Sequence, residues 1–221
     1  TNHNCVIIED NAHSLYGGFN NIDFGDLGDI SFNSLRKVLP VLSGSILKVN
    51  NNLEIFTKLP NRFLSFSEFK YSLRFLSSNT KHLKHESNKN IAHMTYDNIQ
   101  SIDHFSYKIY LSQKNNKDVI CKQRQSNYKF WSNFVKNSDL ELIDLGSSIC
   151  PYAMPCIFDD KRVYDKWLNW GIVNNINLIK WPSLPTLSFF KLKNRRLENI
   201  LLFPVNHMHD ISAMDLSNVK D

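Results

Sequence analysis

Two residues in the first part of the chain could together bind one reactive ring. Asp10 follows the apolar run Cys5 to Ile8, which is typical of a strand buried on both faces of a parallel sheet. Lys37 lies among small polar residues before a second apolar run, Ser45 to Val49. A carboxylate at the end of a buried strand is costly unless it is paired. A partly desolvated lysine has a lowered pKa and can form a Schiff base. The pair could hold a cationic ring nitrogen and an aldehyde in one pocket.

Each of these residues also has an ordinary structural interpretation. An aspartate at this place is often a helix N-cap or a solvated loop acid, and most lysines are solvated surface charges. Arg36 precedes Lys37 in the sequence, and a nearby positive charge would lower the lysine pKa. Whether Asp10 and Lys37 form a site depends on the elements that position them.

The pattern of the first 137 residues alternates between strands and helices. Glycines punctuate the loop after the first apolar run. The elements predicted next are strands at 30–32 and 45–49, a short element at 53–57, a helix at 66–76, a mobile loop or linker at 77–91, and helices at 99–111 and 119–135.

The pattern of predicted elements changes after about residue 137, where strands become more frequent. A helix is predicted from Asp160 to Trp170, with Asp159 or Asp160 as N-cap and Gly171 as its end. The other predicted elements are strands at 140–143, 151–158, 172–181 and 200–205, a helix at 189–197, and a last helix or tail from 214. This order predicts an α/β protein with a smaller α+β module at the C-terminal end, whose core contains Trp167, Trp170 and Trp181.

Composition is that of a globular protein, with 221 residues, 42% apolar residues and a net charge of +5. No apolar run approaches the roughly 20 residues of a membrane span, so no membrane partner is expected. Four cysteines without a CxxC pair indicate reduced thiols, partly in the core, and a cytoplasmic protein. No signal peptide is visible, and the start at Thr1, just before a strand pattern, suggests that earlier sequence is missing.

Other candidate sites are weaker. The histidine pairs His82/His85 and His207/His209 have no third ligand at a suitable spacing, so no metal site is predicted. The basic segment 70–89 contains Glu86 and lacks aromatic interleaving, which favours a solvated loop over a nucleic-acid site.

The order of motifs resembles the DegT/StrS family of sugar aminotransferases, which use pyridoxal phosphate (PLP). The motifs that carry the resemblance are Asp10-Asn11-Ala12-His13, Gly28-Asp29-Ile30, Ser34-Leu35-Arg36-Lys37 and Ser43-Gly44-Ser45-Ile46-Leu47. Later segments agree: Arg124 to Tyr128, Gly171 to Pro182, and Leu202 to Val205 with His207. The first 50 residues are the specific part.

The resemblance implies a role for each residue of the candidate site. Asp10 would accept a hydrogen bond from the pyridine nitrogen, and His13 would lie near the phenolic oxygen of the cofactor. Ser34, or alternatively Ser31, would donate to the phosphate. Lys37 would form the Schiff base and then move a proton between substrate and cofactor.

The resemblance also implies a fold and an activity. The fold is the PLP-dependent transferase type I fold, with an incomplete large domain (residues 1–75), connecting helices (76–137) and a small C-terminal domain (138–221). The expected activity moves an amino group from an amino acid, glutamate, to a nucleotide-linked keto-sugar for polysaccharide synthesis. A homodimer is expected. The sugar, the position aminated, and a dehydration in place of transamination are left open.

This sequence departs from the family at several places: the usual His-Gly-x-Asn substrate loop is not evident between residues 55 and 100, and the loop before Lys37 is about two residues short. The Gly-Glu-Gly-Gly that usually follows the lysine is replaced by Val41 to Ser45. About 150 residues with the main phosphate-binding turn and a ring-stacking aromatic are absent, which would leave an exposed sheet edge. The alternatives are therefore a non-catalytic binding or regulatory subunit with this fold, and a basic ligand-binding domain unrelated to PLP.

Overall fold

The computed structural model describes residues 5–50, 59–60, 70, 100–181, 199–214 and 216. The chain divides into two compact units, residues 1–117 and 118–221. The predicted three-part division stays a prediction, since its first border, at 75/76, lies outside the described residues. No helix in the described part has the length and apolar character needed to cross a bilayer.

The first unit contains a small sheet with mixed strand directions. Its strands in chain order are β1 (Ile8–Asn11), β4 (Ile30–Asn33) and β5 (Leu47–Val49), with a separate hairpin, β2 (Gly18–Phe19) and β3 (Ile22–Asp23), between the first two. β1 is parallel to β4, and β5 is antiparallel to β4. The strands predicted at 30–32 and 45–49 are confirmed, the second as the shorter β5.

The prediction of a buried strand at Cys5 to Ile8 is wrong in both position and burial. The strand begins at Ile8, and the side chains of Val6, Ile7 and Ile8 are 55%, 61% and 62% exposed. Among the described strands β1 has a neighbour only on the β4 side. An apolar run is buried only when other elements cover its faces, and no element in the described part of the chain covers these three residues.

Two helices follow, one in each unit. α1 (His104–Gln113) begins five residues later than the predicted 99, because Asp103 has an extended backbone and accepts the Ser106 N–H at 2.8 Å as the N-cap. α2 (Lys117–Val135) confirms the helix predicted at 119–135. The buried residues of α2 recur at helical spacing: Ile120, Arg124, Asn127, Trp131 and Val135.

The second unit contains an antiparallel sheet in the order β6-β7-β9-β8. Its strands are β6 (Leu140–Leu142), β7 (Ala153–Phe158), β8 (Ile179–Lys180) and β9 (Ile200–Pro204). The strands predicted at 140–143, 151–158 and 200–205 are confirmed. The strand region predicted at 172–181 is reduced to β8, because residues 172 and 173 continue the preceding helix.

That helix, α3 (Lys161–Val173), corrects the predicted stop at Gly171. Asp160 is the N-cap and accepts the N–H groups of Arg162 and Val163. Gly171 lies inside the helix, and a Cβ there would come within 2.7 Å of the Ile176 carbonyl oxygen. The glycine therefore permits a close approach of the following turn, in which Asn175 has a φ of 57°.

The core of the second unit is aromatic. Trp131, Trp167 and Phe203 are fully buried, with Phe203 5.2 Å and 5.5 Å from the two indole rings. Both indole N–H groups are bonded, Trp131 to the Pro204 carbonyl and Trp167 to Asp139, each at 2.7 Å. The prediction of tryptophans in this core is confirmed for Trp167 and Trp170, whereas Trp181 is half-buried.

The four cysteines are free thiols, of which Cys150 and Cys156 are buried, as predicted. The predicted segments at 53–57, 66–76, 77–91 and 189–197 lie wholly or almost wholly outside the described residues, and so does most of the tail.

Candidate functional site

Parallel pairing brings the two halves of the candidate site to one edge of the first sheet. The pairing runs from Ile8 opposite Ile30 to Asn11 opposite Asn33. Because the carboxyl ends of parallel strands meet at the same edge, the segments after Asn11 and Asn33 leave the sheet side by side. The first carries His13, and the second carries Lys37.

Lys37 ends a single 3-10 turn, Leu35–Lys37, that is anchored by apolar side chains. Leu35, Val38 and Leu39 are between 1% and 4% exposed, whereas Lys37 itself is half-buried. Burial, and then the positive charge of Arg36, lower the pKa of the Lys37 amine. A larger fraction of this amine than of an exposed lysine is therefore neutral and nucleophilic near pH 7.

His13 lies within electrostatic reach of both Lys37 and Asp10. Burial and then the charge of Lys37 lower the pKa of His13, while Asp10 acts in the opposite direction. Asp10 is exposed, and its Oδ1 atom accepts the Ala12 N–H at 3.0 Å. The structure thus places Asp10, His13 and Lys37 in one neighbourhood.

The two candidate serines have different surroundings. Ser34 is half-buried at the N-cap position of the turn, and its hydroxyl makes no capping hydrogen bond. Ser31 is 4% exposed within β4, and a Cβ on Gly25 would come within 2.8 Å of its Oγ. Ser31 is therefore enclosed behind Gly25, whereas Ser34 is more accessible.

Glu9 connects β1 to the loop that precedes β4, a role that was not predicted. Its carboxylate accepts the N–H groups of Gly25, Leu27 and Gly28 at 2.7, 3.1 and 3.2 Å, and the Asn11 amide at 2.9 Å. Burial alone would raise the pKa of Glu9, but these hydrogen bonds hold it below its usual value. The glycines of this loop are the sequence feature that could have predicted the role of Glu9, since a backbone that surrounds a carboxylate must approach it closely.

In the second unit, the part of α2 that resembles the family's Arg-x-x-Asn-Tyr segment makes hydrogen bonds to several connecting segments. Arg124 donates to the carbonyls of Pro151 and Tyr152 at 3.0 and 3.3 Å. The Asn127 amide donates to two carbonyls of the segment after β9, each at 2.9 Å, and the Tyr128 hydroxyl donates to a carbonyl after β6 at 3.0 Å. These contacts give the motif a structural role within its own unit.

His207 lies near this helix. Burial, and then the charge of Arg124, lower the pKa of His207 to about 4, so the ring is neutral at pH 7. Within the described ranges no group of three His, Cys, Asp or Glu residues is placed to hold a metal ion.

Sequence comparison alone finds no counterpart: no protein-family model and no curated protein sequence matches this chain. Solved structures do match. A putative sugar aminotransferase, Spr1654 from Streptococcus pneumoniae in its PMP form, superposes with a TM-score of 0.60 at 13% identity, covering 94% of this chain and 55% of that one. A DegT DnrJ EryC1 StrS aminotransferase from Brucella abortus gives 0.55 at 14%, covering 94% and 54%.

A third similar structure has a different named activity. It is the E. coli GDP-4-keto-6-deoxy-D-mannose-3-dehydratase with bound hydrated PLP, with a TM-score of 0.56 at 15% identity, covering 91% of this chain and 56% of that one. The present chain therefore spans about half the length of the structures it matches. The similarity confirms the predicted fold: the chain has the PLP-dependent transferase type I fold, in the form found in DegT/DnrJ/EryC1/StrS aminotransferases.

Proposed function

We propose that this chain is a PLP-dependent aminotransferase-like protein that uses Lys37 as its Schiff-base lysine. It would transfer an amino group from an amino acid, glutamate, to a nucleotide-linked keto-sugar, in the synthesis of a polysaccharide. A cytoplasmic homodimer is part of the same proposal.

The observation that carries the proposal is the shared electrostatic neighbourhood of Asp10, His13 and Lys37. An acid, an imidazole and a half-buried amine of lowered pKa lie at the carboxyl ends of two parallel strands. In open α/β sheets this edge is where ligands bind. A structural role for the lysine alone would not require an acid and a histidine beside it.

These residues have the chemistry that pyridoxal phosphate needs. The bound cofactor would supply a ring that withdraws electrons from the reacting substrate carbon. Asp10 would hold the proton on the ring nitrogen, and His13 would lie beside the phenolic oxygen. The accessible Ser34 hydroxyl would donate to the phosphate, in preference to the enclosed Ser31. Lys37 would bond the aldehyde and, once released, carry a proton at the substrate carbon.

The substrate class is inferred from the activities named for similar structures. One protein, Spr1654, is named a putative sugar aminotransferase in both its PMP and PLP forms, and a mutant GDP-sugar dehydratase has bound GDP-perosamine. Transamination is favoured over dehydration because the named aminotransferases are the more numerous in this set.

The proposal is tested by titrating the purified protein with pyridoxal phosphate and recording the absorption band of the Schiff base. Wild type is expected to form the band, and Lys37→Ala is expected to lose it. Lys48→Ala is the matched control, since Lys48 is an exposed lysine in the same unit, paired with Asp26. A wild type without a band, or a band that survives in Lys37→Ala, contradicts the proposal.

A non-catalytic binding or regulatory subunit is the second candidate. The exposure of Val6, Ile7 and Ile8 beside Asp10 favours it, because one side of the candidate site has no covering element in the described part of the chain. Calorimetry with GDP-mannose in the absence of PLP distinguishes the two candidates. Sugar-nucleotide binding together with the absence of any Schiff-base band would favour the second.

A further inference from the structure

The loop after Lys37 returns to the lysine turn and closes it. The N–H of Leu35, the first residue of the turn, donates to the Gly44 carbonyl at 3.1 Å. Gly44 has a φ of +114°, and a Cβ there would come within 2.5 Å of the Ile102 side chain and 3.2 Å of Leu35. The position of the turn that carries Lys37 therefore depends on how residues 42–44 are held.

The N-terminus of α1 holds those residues with two side chains. The Ser106 hydroxyl oxygen accepts the N–H groups of Leu42 and Ser43 at 3.2 and 3.4 Å. The Ser43 hydroxyl donates to Oδ2 of Asp103. These bonds span 60 to 64 residues of sequence, so the contact is tertiary and not a property of the loop itself.

Asp103 and Ser106 are themselves fixed in place, since both are completely buried. Oδ1 of Asp103 accepts the Ser106 N–H at 2.8 Å, and Oδ2 accepts the Ser43 hydroxyl. Each carboxylate oxygen thus has its own donor, one from the helix and one from the loop. A buried polar pair bonded in this way has one favoured geometry, because any shift leaves a buried group unsatisfied.

We propose that Asp103 and Ser106, here called the clamp, are positioning residues that fix the Lys37 turn through the 42–44 segment. This inference rests on the proposed function, since it concerns the presentation of the same lysine. It also gives the departure at Val41 to Ser45 a structural role: this loop, which has one glycine where the family usually has three, is held by hydrogen bonds to a helix. The apolar side chains of the turn then keep the Lys37 amine half-buried.

The clamp is tested on the Lys37 amine without cofactor. Lysines are methylated with 13C-formaldehyde, the Lys37 signal is assigned by its loss in Lys37→Arg, and its titration is followed by NMR. Ser106→Ala is expected to move the Lys37 midpoint upward, toward the ordinary lysine value, because a loosened turn admits water to the amine. Ser112→Ala, on the exposed side of the same helix, is the matched control and should leave the midpoint unchanged.

Two further variants separate positioning from stability. Ser106→Thr keeps the hydroxyl and should restore the wild-type midpoint. Asp103→Asn keeps a good N-cap but replaces the oxygen that accepts the Ser43 hydroxyl, and should shift the midpoint like Ser106→Ala. Schiff-base formation with pyridoxal phosphate should be about tenfold weaker in either clamp variant, as for the loss of one or two buried hydrogen bonds.

Different results would overturn the clamp and the proposed function. An unchanged Lys37 midpoint in folded Ser106→Ala or Asp103→Asn overturns the clamp. If both variants fail to fold while Ser106→Thr folds, the pair serves stability, and the positioning role is overturned. If wild type forms no Schiff base, the proposed function fails, but the titration still decides whether the clamp controls the Lys37 amine.

Discussion

At the scale of single residues, charge and burial around Lys37 and His13 determine which protonation states are available near neutral pH. Both groups are bases whose pKa values are lowered, first by burial and then by a neighbouring positive charge. Each is therefore more often neutral than an exposed counterpart at the same pH. A neutral lysine next to a neutral imidazole is suited to forming a covalent bond with an aldehyde.

We expect His13 to titrate below the ordinary histidine value and to move upward in Lys37→Ala. The sign follows from repulsion: the charge of Lys37 disfavours protonation of His13, so its removal makes the imidazolium easier to form. The measurement is an NMR titration of the His13 ring. Lys48→Ala, whose ammonium is paired with Asp26, should leave His13 unchanged. A His13 midpoint that falls or stays constant in Lys37→Ala contradicts the shared neighbourhood.

Some residues of the candidate site could be proposed from the sequence, and others could not. Asp10, His13, Ser34 and Lys37 could be proposed from the sequence because their order and residue types follow a known motif. Glu9 and Ser106 were not assigned, because their partners lie 16 and 64 residues away. Local patterns do not encode such contacts, which exist only once the sheet and α1 are in place.

At the scale of elements, apolar periodicity located β4, α2, β6, β7 and β9 well. It misplaced features that depend on neighbours. α1 begins where the Asp103 cap allows, and the start of β1 is exposed because no element in the described part of the chain packs on it. Gly171 was interpreted as a helix stop, although its missing Cβ serves the approach of the 174–178 turn.

Gly171→Ala tests that correction. The added Cβ would lie 2.7 Å from the Ile176 carbonyl oxygen, which is backbone and cannot rotate away. We expect a loss of about 1–3 kcal/mol in the free energy of unfolding, as for overpacking. Urea denaturation measures it, with Asn169→Ala on the exposed face of α3 as the control. If Gly171→Ala is as stable as wild type, the close approach of the Ile176 carbonyl is not the reason for a glycine at this position.

At the scale of the whole molecule, the two units differ in how well their sheets are covered. The second has a continuous aromatic core, whereas the first exposes apolar side chains at the start of β1. The chain spans about half the length of the structures it matches. An uncovered parallel edge tends to pair with other strands. We therefore expect the first unit to depend more than the second on a partner strand for its stability.

This difference predicts concentration-dependent association through β1. Sedimentation velocity over a range of concentrations should show association of wild type and its reduction in Ile8→Lys, because a charge on an edge strand opposes pairing. Ile172→Lys provides a matched control, since Ile172 is 58% exposed on α3 in the other unit. Equal association of wild type and Ile8→Lys would show that the β1 edge is not the contact.

The central claim is that Lys37 is the lysine that bonds pyridoxal phosphate. Reduction of the cofactor–protein mixture with borohydride makes the bond permanent, and peptide mapping by mass spectrometry then identifies the modified lysine. We predict a pyridoxyl group on the peptide containing Lys37, at a stoichiometry near one per chain, with Lys48 and the other lysines unmodified. A label spread over surface lysines, or none on Lys37, would contradict the account.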